Sequence, residues 1–324
     1  MRQFTISLDT WETIEPFRIT GYTFTEAQIL HTSITEDGIT GQGESTGIYY
    51  FGENGESMLA QAETVRHALE QGAGREELRH LLPAGGARNA IDCALWDFEA
   101  KKSNKSIWEL TGIQPSETLT VNTVGVGTPA EMAETAKNLD TGQIKVKLDG
   151  EFPLECITAV REVRPDAKIV VDVNQGWNFQ QLVRLAPQFK ELGVAMIEQP
   201  LPRGGDEELE DYAPPLLLCA DESCIDTTEF AQAARRYQMI NIKLDKTGGL
   251  TEALELAYLA RKNGIGVMVG NMLGTSLAMA PGFVIAQLCM FVDLDGALFL
   301  KKDREHAMSY THGVVSPPSS KLWG

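Results

Sequence analysis

From Leu119 onward, short apolar runs recur along the chain, each followed by a segment with helical spacing. The runs read LTVNTVGVG (119–127), IKVK (144–147), KIVVDVN (168–174), VAMIEQP (194–200), LLLCADES (216–223), MINIKLDK (239–246), GIGVMVGNM (264–272) and FVDLDG (291–296). Near-continuous Val, Ile and Leu is the composition of strands covered on both faces. Eight such strands with seven intervening helices, repeating every 22 to 28 residues or so, predict a parallel (β/α)7β barrel of the TIM type. The first of these helices carries its own start signal. Thr128 stands at the cap, Pro129 at the first helical position and Glu131 three residues after the cap.

Residues 1–116 lack this rhythm. ITGYTFTEAQILHTSITEDGITGQGEST has β-branched runs split at Glu36-Asp37-Gly38, the pattern of an antiparallel hairpin or meander. Helical spacing follows over about 54–70 and 86–104, where Ala90, Cys93, Ala94, Leu95, Trp96 and Ala100 form one apolar flank. Strands followed by helices predict a separate α+β capping domain. TGIQPSE (111–117) punctuates the boundary, so the barrel is expected over 117–299. Residues 300–324 have no such periodicity and are expected to return and complete the cap. G-x-G-E at Gly41–Glu44 has no third glycine and no helix opening after it, which argues for a tight turn and against a dinucleotide loop.

Five ionisable residues fall at or near the downstream ends of consecutive runs. Lys147, Asp172, Glu198, Asp221 and Lys243 are separated by 25, 26, 23 and 22 residues. Charged groups at the ends of successive strands are how a parallel barrel builds an active site. Strands four apart face each other across the axis, so Lys147 on the second strand confronts Lys243 on the sixth. Asp172, Glu198 and Asp221 line the arc between them. Three adjacent carboxylates repel one another unless a cation neutralises them, and oxygen-only ligands point to one Mg²⁺. A substrate carboxylate on that metal places its α-carbon between two amines on opposite faces. One amine takes the α-proton, the metal offsets the charge of the enediolate, and the other amine returns a proton from the far side. That is inversion at carbon. Lys145 shares the inward face with Lys147, and an ammonium beside another favours the neutral amine that a base requires.

The formal charge of −17 argues against a nucleic-acid or anionic-membrane partner. No run is long enough to span a bilayer, and MRQFTISLDT lacks the apolar core of a signal peptide. Cys93, Cys156, Cys219, Cys224 and Cys289 are odd in number and scattered, as expected of reduced, mostly buried cysteines in a cytoplasmic protein.

At these residues the chain resembles the enolase superfamily, specifically the muconate-lactonizing-enzyme subgroup with K-x-K on its second barrel strand. By position, I-K-V-K-L-D and N-I-K-L-D-K-T-G-G imply catalytic roles for Lys147 and Lys243. V-D-V-N, I-E-Q-P and A-D-E-S imply metal ligation by Asp172, Glu198 and Asp221. Lys246 and Asp245 fall in the following loop and look non-catalytic. The finer likeness is to the dipeptide epimerases, carried by D-L-D-G at the end of the eighth strand. It implies that Asp293 and Asp295 meet the ammonium of a dipeptide whose carboxylate sits on the metal. It also implies substrate contacts from Lys145, Thr123, Asn271 and Leu273. Homo-oligomers are frequent in the superfamily, so one is possible here.

One position departs from the pattern. Epimerases acting on Ala-Glu carry an arginine in the capping loop to pair the acidic side chain, and here Phe24 takes its place. A phenyl ring covers an apolar or aromatic side chain and cannot pair a carboxylate. Tyr49, Tyr50 and Phe51 lean the same way, although Arg18 lies nearby. An L-Ala-Xaa dipeptide with an apolar Xaa is therefore expected. Other reactions of the superfamily remain open: o-succinylbenzoate synthesis, N-acylamino acid racemisation or cycloisomerisation on the same lysines and metal. A non-catalytic metal- or ligand-binding barrel is more remote. The five histidines lie away from the barrel-strand ends, against a histidine base of the mandelate-racemase kind.

Overall fold

The computed structural model describes residues 1–324. Three antiparallel strands, Gln3–Ile19, Tyr22–Glu36 and Ile39–Thr46, form the N-terminal sheet in chain order. The predicted hairpin is present. Asp37 and Gly38 have φ of 54° and 80°, the left-handed pair that a two-residue hairpin loop requires. The strand before it was not legible, and a register shift between Glu12 and Phe17 interrupts its alternation. Helices Gly55–Thr64 and Arg66–Glu70 replace the single expected segment, divided at Val65, while Gly86–Ser103 matches its prediction. A further helix, Arg75–Leu81, follows them and has no counterpart in the sequence expectation.

Gly41 and Gly43 do not form the expected turn. Both lie inside the third strand, and a Cβ on them would stand 2.2 Å from Phe98 N and 2.3 Å from Ala90 O. The glycines are structural in another sense. They let the helix Gly86–Ser103 lie directly against the sheet, which sequence periodicity does not report.

The barrel has eight parallel strands in chain order: Asn122–Val124, Gln143–Lys147, Lys168–Asp172, Val194–Glu198, Leu217–Ala220, Met239–Lys243, Gly266–Gly270 and Phe291–Val292. Val121 N donates to Val292 O at 2.9 Å and joins the first strand to the last. Thr128 caps the helix Pro129–Asn138 through Glu131, as its sequence signal predicts. The fourth connection departs from the pattern. Between the fourth and fifth strands only a 3₁₀ turn forms, Glu207–Asp211. Pro202, Gly204, Gly205, Pro214 and Pro215 crowd that connection and deny it a continuous helix.

The barrel interior divides into a floor and a mouth. Val121, Val170, Met196, Cys219, Met239, Met268 and Phe291 form one buried apolar cluster. Two residues further along their strands stand Thr123, Asp172, Glu198, Asp221, Asn241, Gly270 and Asp293. Period-two alternation thus sets a mostly polar ring directly above an apolar plug. After Leu300 the chain does not only complete the cap as expected: Val314 and Val315 pair with Leu119 and Thr118 just before the first barrel strand, and other residues contact the cap. Lys301 N donates to Glu12 O, Trp323 Nε1 to Cys93 O and Gly324 N to Asp97 Oδ1. Four of the five cysteines are buried, Cys289 is half-buried, and all are free. No helix is long and apolar enough to cross a membrane.

The helix–sheet contact at the glycines yields a stability prediction. Gly41→Ala forces a methyl group into backbone atoms that have no side-chain freedom to yield, and overpacking of this kind costs about 1–3 kcal/mol. Urea unfolding should show that loss, and an unchanged midpoint would contradict the close approach.

Candidate active site

The mouth of the barrel and the cap enclose a cavity of about 210 Å³. Lys145, Lys147 and Lys243 line it from the second and sixth strands, and Thr123, Asn271, Leu273, Asp293 and Asp295 from the first, seventh and eighth. The cap contributes Phe17, Ile19, Phe24 and Tyr49 among others. The cavity therefore gathers the two lysines and all the expected substrate-facing residues, while Asp172, Glu198 and Asp221 lie completely buried beneath it.

Burial of so many charges is tolerable only because nearly all are paired. Lys147 Nζ donates to Asp172 Oδ2 at 2.5 Å and to Asn174 Oδ1 at 3.2 Å. Lys243 Nζ donates to Asp221 Oδ2 at 2.7 Å. Lys145 is more deeply engaged than a neighbour of Lys147 need be. Its Nζ lies 3.0 Å from Asp172 Oδ2, 2.8 Å from Glu198 Oε2 and 2.7 Å from Asp293 Oδ2. It thus ties the carboxylate arc to the eighth strand. Burial opposes its charge, but those three carboxylates outweigh it and hold the ammonium well above the usual lysine range.

The carboxylates differ in what surrounds them. Burial would raise the Asp172 carboxyl, yet Lys145, Lys147 and Lys243 hold it well below the usual range. Asp221 is lowered against the same burial by Lys243 and Lys246. Glu198 is raised by burial and by Asp172, despite Lys145. Lys243 is held high by Asp221 and Glu198 against its own burial.

Asp172 and Glu198 converge on one nitrogen, that of Lys145, whereas Asp221 turns toward Lys243 and Lys246. No three acidic, histidine or cysteine side chains close into a single coordination shell in this arrangement. The donor set nevertheless suits a hard cation, since all the oxygens are carboxylate and fully buried. Glu198 Oε2 and Asp221 Oδ1 receive no aligned hydrogen bond, although an ammonium lies 2.8 Å and 2.7 Å away. These are close ion contacts with unused lone pairs, which a cation can take.

At the far side, Asp293 is shared. Its Oδ2 faces Lys145, and Asn271 Nδ2 donates to its backbone oxygen at 2.6 Å. Asp295 Oδ2 accepts from Thr123 N at 2.8 Å. Burial, then the neighbouring Asp293, pushes the Asp295 carboxyl up to about 8. On the cap side, Phe24 lies 5.3 Å from the ring of Tyr49 and 6.3 Å from that of Tyr22, and the ring contacts continue through Tyr50 to Phe51. Arg18 faces a separate groove with Ile14, Glu131 and Leu298 and does not line the cavity. None of the five histidines lines it either.

Two residues gained importance from the structure. Lys246 is not in an open loop. It lies in the helical turn Leu244–Thr247 with its side chain wholly buried, its Nζ 2.7 Å from Asp221 Oδ1 and donating to Asn241 O at 2.9 Å. Asn241 Nδ2 donates to Glu198 Oε1 at 2.7 Å, and a Cβ at Gly270 would press on that amide at 2.6 Å. The two-residue spacing from Lys243 signals that Asn241 points inward. Lys246 gives no such signal, because a turn sets its direction. Asp245 is structural, accepting from Ser45 Oγ, Thr46 N and Asn89 Nδ2 and so fastening the cap to the barrel.

Comparison with known proteins accords with this geometry. Residues 130–321 match the enolase C-terminal domain-like family, and residues 1–112 match the mandelate racemase/muconate lactonizing enzyme N-terminal domain. The L-Ala-D/L-Glu epimerase of Escherichia coli K12 is 43% identical over 319 residues, covering 97% of this chain and 99% of its own. A crystal structure from Agrobacterium tumefaciens, an enolase family member with homology to dipeptide epimerases and with bound sodium and L-Ala-L-Glu, superposes with a TM-score of 0.97. It is 38% identical and each chain is covered completely. The dipeptide epimerase of Methylococcus capsulatus, complexed with Mg and L-Arg-D-Lys, has a TM-score of 0.90 at 28% identity over 98% of this chain and 97% of its own. The chain belongs to the mandelate racemase/muconate lactonizing enzyme family of the enolase superfamily, and it is an isomerase of the racemase and epimerase kind.

Proposed function

We propose that this enzyme inverts the α-carbon of the C-terminal residue of an L-Ala-Xaa dipeptide by proton transfer between Lys147 and Lys243, with an apolar or aromatic Xaa preferred. The observation that carries the reading is the placement of two buried lysines on strands four apart, lining one cavity with an acidic pair at its other end. One amine removes the α-proton from its face, and the other ammonium delivers a proton to the opposite face. The products are the inverted carbon and two lysines with exchanged protonation, ready for the reverse stereochemical course. Lys145 adds positive charge beside the substrate carboxylate. Asp295, with Asp293, would receive the substrate ammonium, and Thr123 N orients Asp295 for it.

Asp172, Glu198 and Asp221 would hold the cation, for which Mg²⁺ is the fitting choice. When bound, it would offset the charge that builds on the substrate carboxylate and compete for the oxygens that now pair with Lys147 and Lys243.

The side-chain preference rests on the cavity wall. Its only lysine or arginine residues are Lys145, Lys147 and Lys243, and each already has a carboxylate partner. Phe24 and Tyr49 cover the cap side, where Glu26 and Glu53 also face the cavity. An acidic Xaa entering this wall would lose hydration with no counter-ion, whereas an apolar one would bury against rings. The E. coli and A. tumefaciens relatives are associated with glutamate-containing dipeptides, so the preference is a divergence from them.

Epimerisation followed in D₂O by deuterium uptake should show L-Ala-L-Phe or L-Ala-L-Leu turned over at least tenfold more efficiently than L-Ala-L-Glu, about 1.4 kcal/mol in the transition state. Phe24→Arg should narrow or reverse that ratio. Faster turnover of L-Ala-L-Glu by the unaltered enzyme would contradict the preference.

The acidic pair makes a separate prediction. An Asp295 carboxyl pushed up to about 8 is protonated at lower pH and receives an ammonium only once ionised. The kcat/KM of a free dipeptide relative to its N-acetyl form should therefore rise by nearly tenfold from pH 6 to 7 and more gently toward 8. It should pass through a maximum near pH 8 and fall again as the dipeptide amine deprotonates. Asp295→Asn should flatten the ratio, and a flat ratio in the unaltered enzyme would remove Asp295 from ammonium recognition.

A further inference from the structure

Gln199 follows Glu198 directly, is completely buried and lies outside the cavity lining. Its backbone has φ of 34°, in the left-handed region that a glutamine seldom adopts. That conformation is held from both sides. Gln199 N donates to Cys219 O at 2.9 Å on the fifth strand, and Gln199 O accepts from Gln175 N at 2.8 Å just beyond the third.

Its side chain continues the same bridge. Oε1 accepts from Asp221 N at 2.9 Å and from Ser223 N at 3.1 Å. Because backbone N–H groups can only donate, these two bonds settle the orientation of the amide. The two protons of Nε2 are then shared among Leu201 O at 2.7 Å, Ser223 Oγ at 2.9 Å and Tyr237 Oη at 3.2 Å. Tyr237 Oη and Ser223 Oγ in turn donate to buried Asp206, which Arg236 neutralises at 2.6 Å. One residue thus joins the ends of the third, fourth and fifth strands, the three that carry Asp172, Glu198 and Asp221.

We propose that Gln199 is a positioning residue that sets the spacing of the three carboxylates for a divalent cation, acting through the backbone of Asp221. The inference rests on the reading of Asp172, Glu198 and Asp221 as the cation's ligands. Supporting partners of a metal ligand typically govern 10- to 100-fold in metal affinity. Gln199 has the attributes of such a partner, since its bonds are all made, it is fully buried, and its backbone is constrained on both sides.

The test uses the full-length protein and Mn²⁺ alone, titrated by calorimetry and observed by electron paramagnetic resonance. Gln199→Leu should weaken Mn²⁺ roughly 10- to 100-fold and alter the spectrum of the bound ion. Gln199→Glu, which Leu201 O and nearby Asp206 keep protonated, retains an oxygen where Asp221 N and Ser223 N donate and a donor toward Leu201 O, so its loss should stay well below the roughly tenfold expected when such a partner is removed. It also serves if the leucine variant does not fold, and a tenfold or greater loss in it would overturn the proposal. Tyr237→Phe leaves both Oε1 bonds intact, and it should lower the melting temperature while leaving Mn²⁺ affinity unchanged. Equal loss of affinity in Tyr237→Phe and Gln199→Leu would mean general loosening and overturn the positioning role. A folded Gln199→Leu with unchanged affinity and spectrum would overturn it alone. Absence of Mn²⁺ binding by the unaltered protein would instead bring down the cation reading on which it rests.

Discussion

Charge balance in a water-poor barrel mouth constrains everything else in this molecule. Five carboxylates, Asp172, Glu198, Asp221, Asp293 and Asp295, share the space with four lysines, Lys145, Lys147, Lys243 and Lys246, all of them buried. Removing a single partner from such a cluster leaves an uncompensated charge, which in buried pairs costs roughly 3–5 kcal/mol. Hydrophobic replacement of buried ion pairs is often neutral or stabilising. Stability alone therefore does not account for the network, which the proposed function reads as a site where pairs are exchanged among lysine, cation and substrate. The apolar floor beneath it and the cap above it serve to keep water from dissolving those pairs.

The cap is fastened where that exclusion matters. Asp245 binds Ser45, Thr46 and Asn89 across the interface, next to the lysine turn that supports Asp221. Glu44 joins the cap to Thr275 and Arg304 on the opposite flank. Phe24 and Tyr49 then hang over the cavity from the cap side. In the proposed reaction the barrel supplies the two lysines and the cap supplies the rings beside the side chain.

Much of this was legible in the sequence because period two and a fixed strand spacing are linear signals. They located Lys147, Asp172, Glu198, Asp221 and Lys243 at strand ends, and the structure brings the lysines into one cavity with the carboxylates under it. Asp37-Gly38 and the Thr128–Glu131 cap were equally readable, because each depends on residues within a few positions. The failures share a cause. Gly41 and Gly43 are set by a helix some fifty residues away, the missing fourth helix by a cluster of breakers inside an apparently regular interval, and Lys246 by the direction of a single turn. Lys145 looked like a modifier of its neighbour and proved to be the hub of three carboxylates from three other strands. Long-range partners of that kind leave no mark in local periodicity.

The central claim is that two lysines act on opposite faces of one carbon. Its most direct test is α-hydrogen exchange in D₂O, measured separately on the L,L and L,D isomers of one dipeptide with Lys147→Ala and Lys243→Ala. Each variant should lose epimerisation yet still exchange the one isomer whose hydrogen faces the remaining lysine, with opposite isomers retained by the two variants. Retained epimerisation in either variant, or exchange of the same isomer by both, would contradict the two-base account.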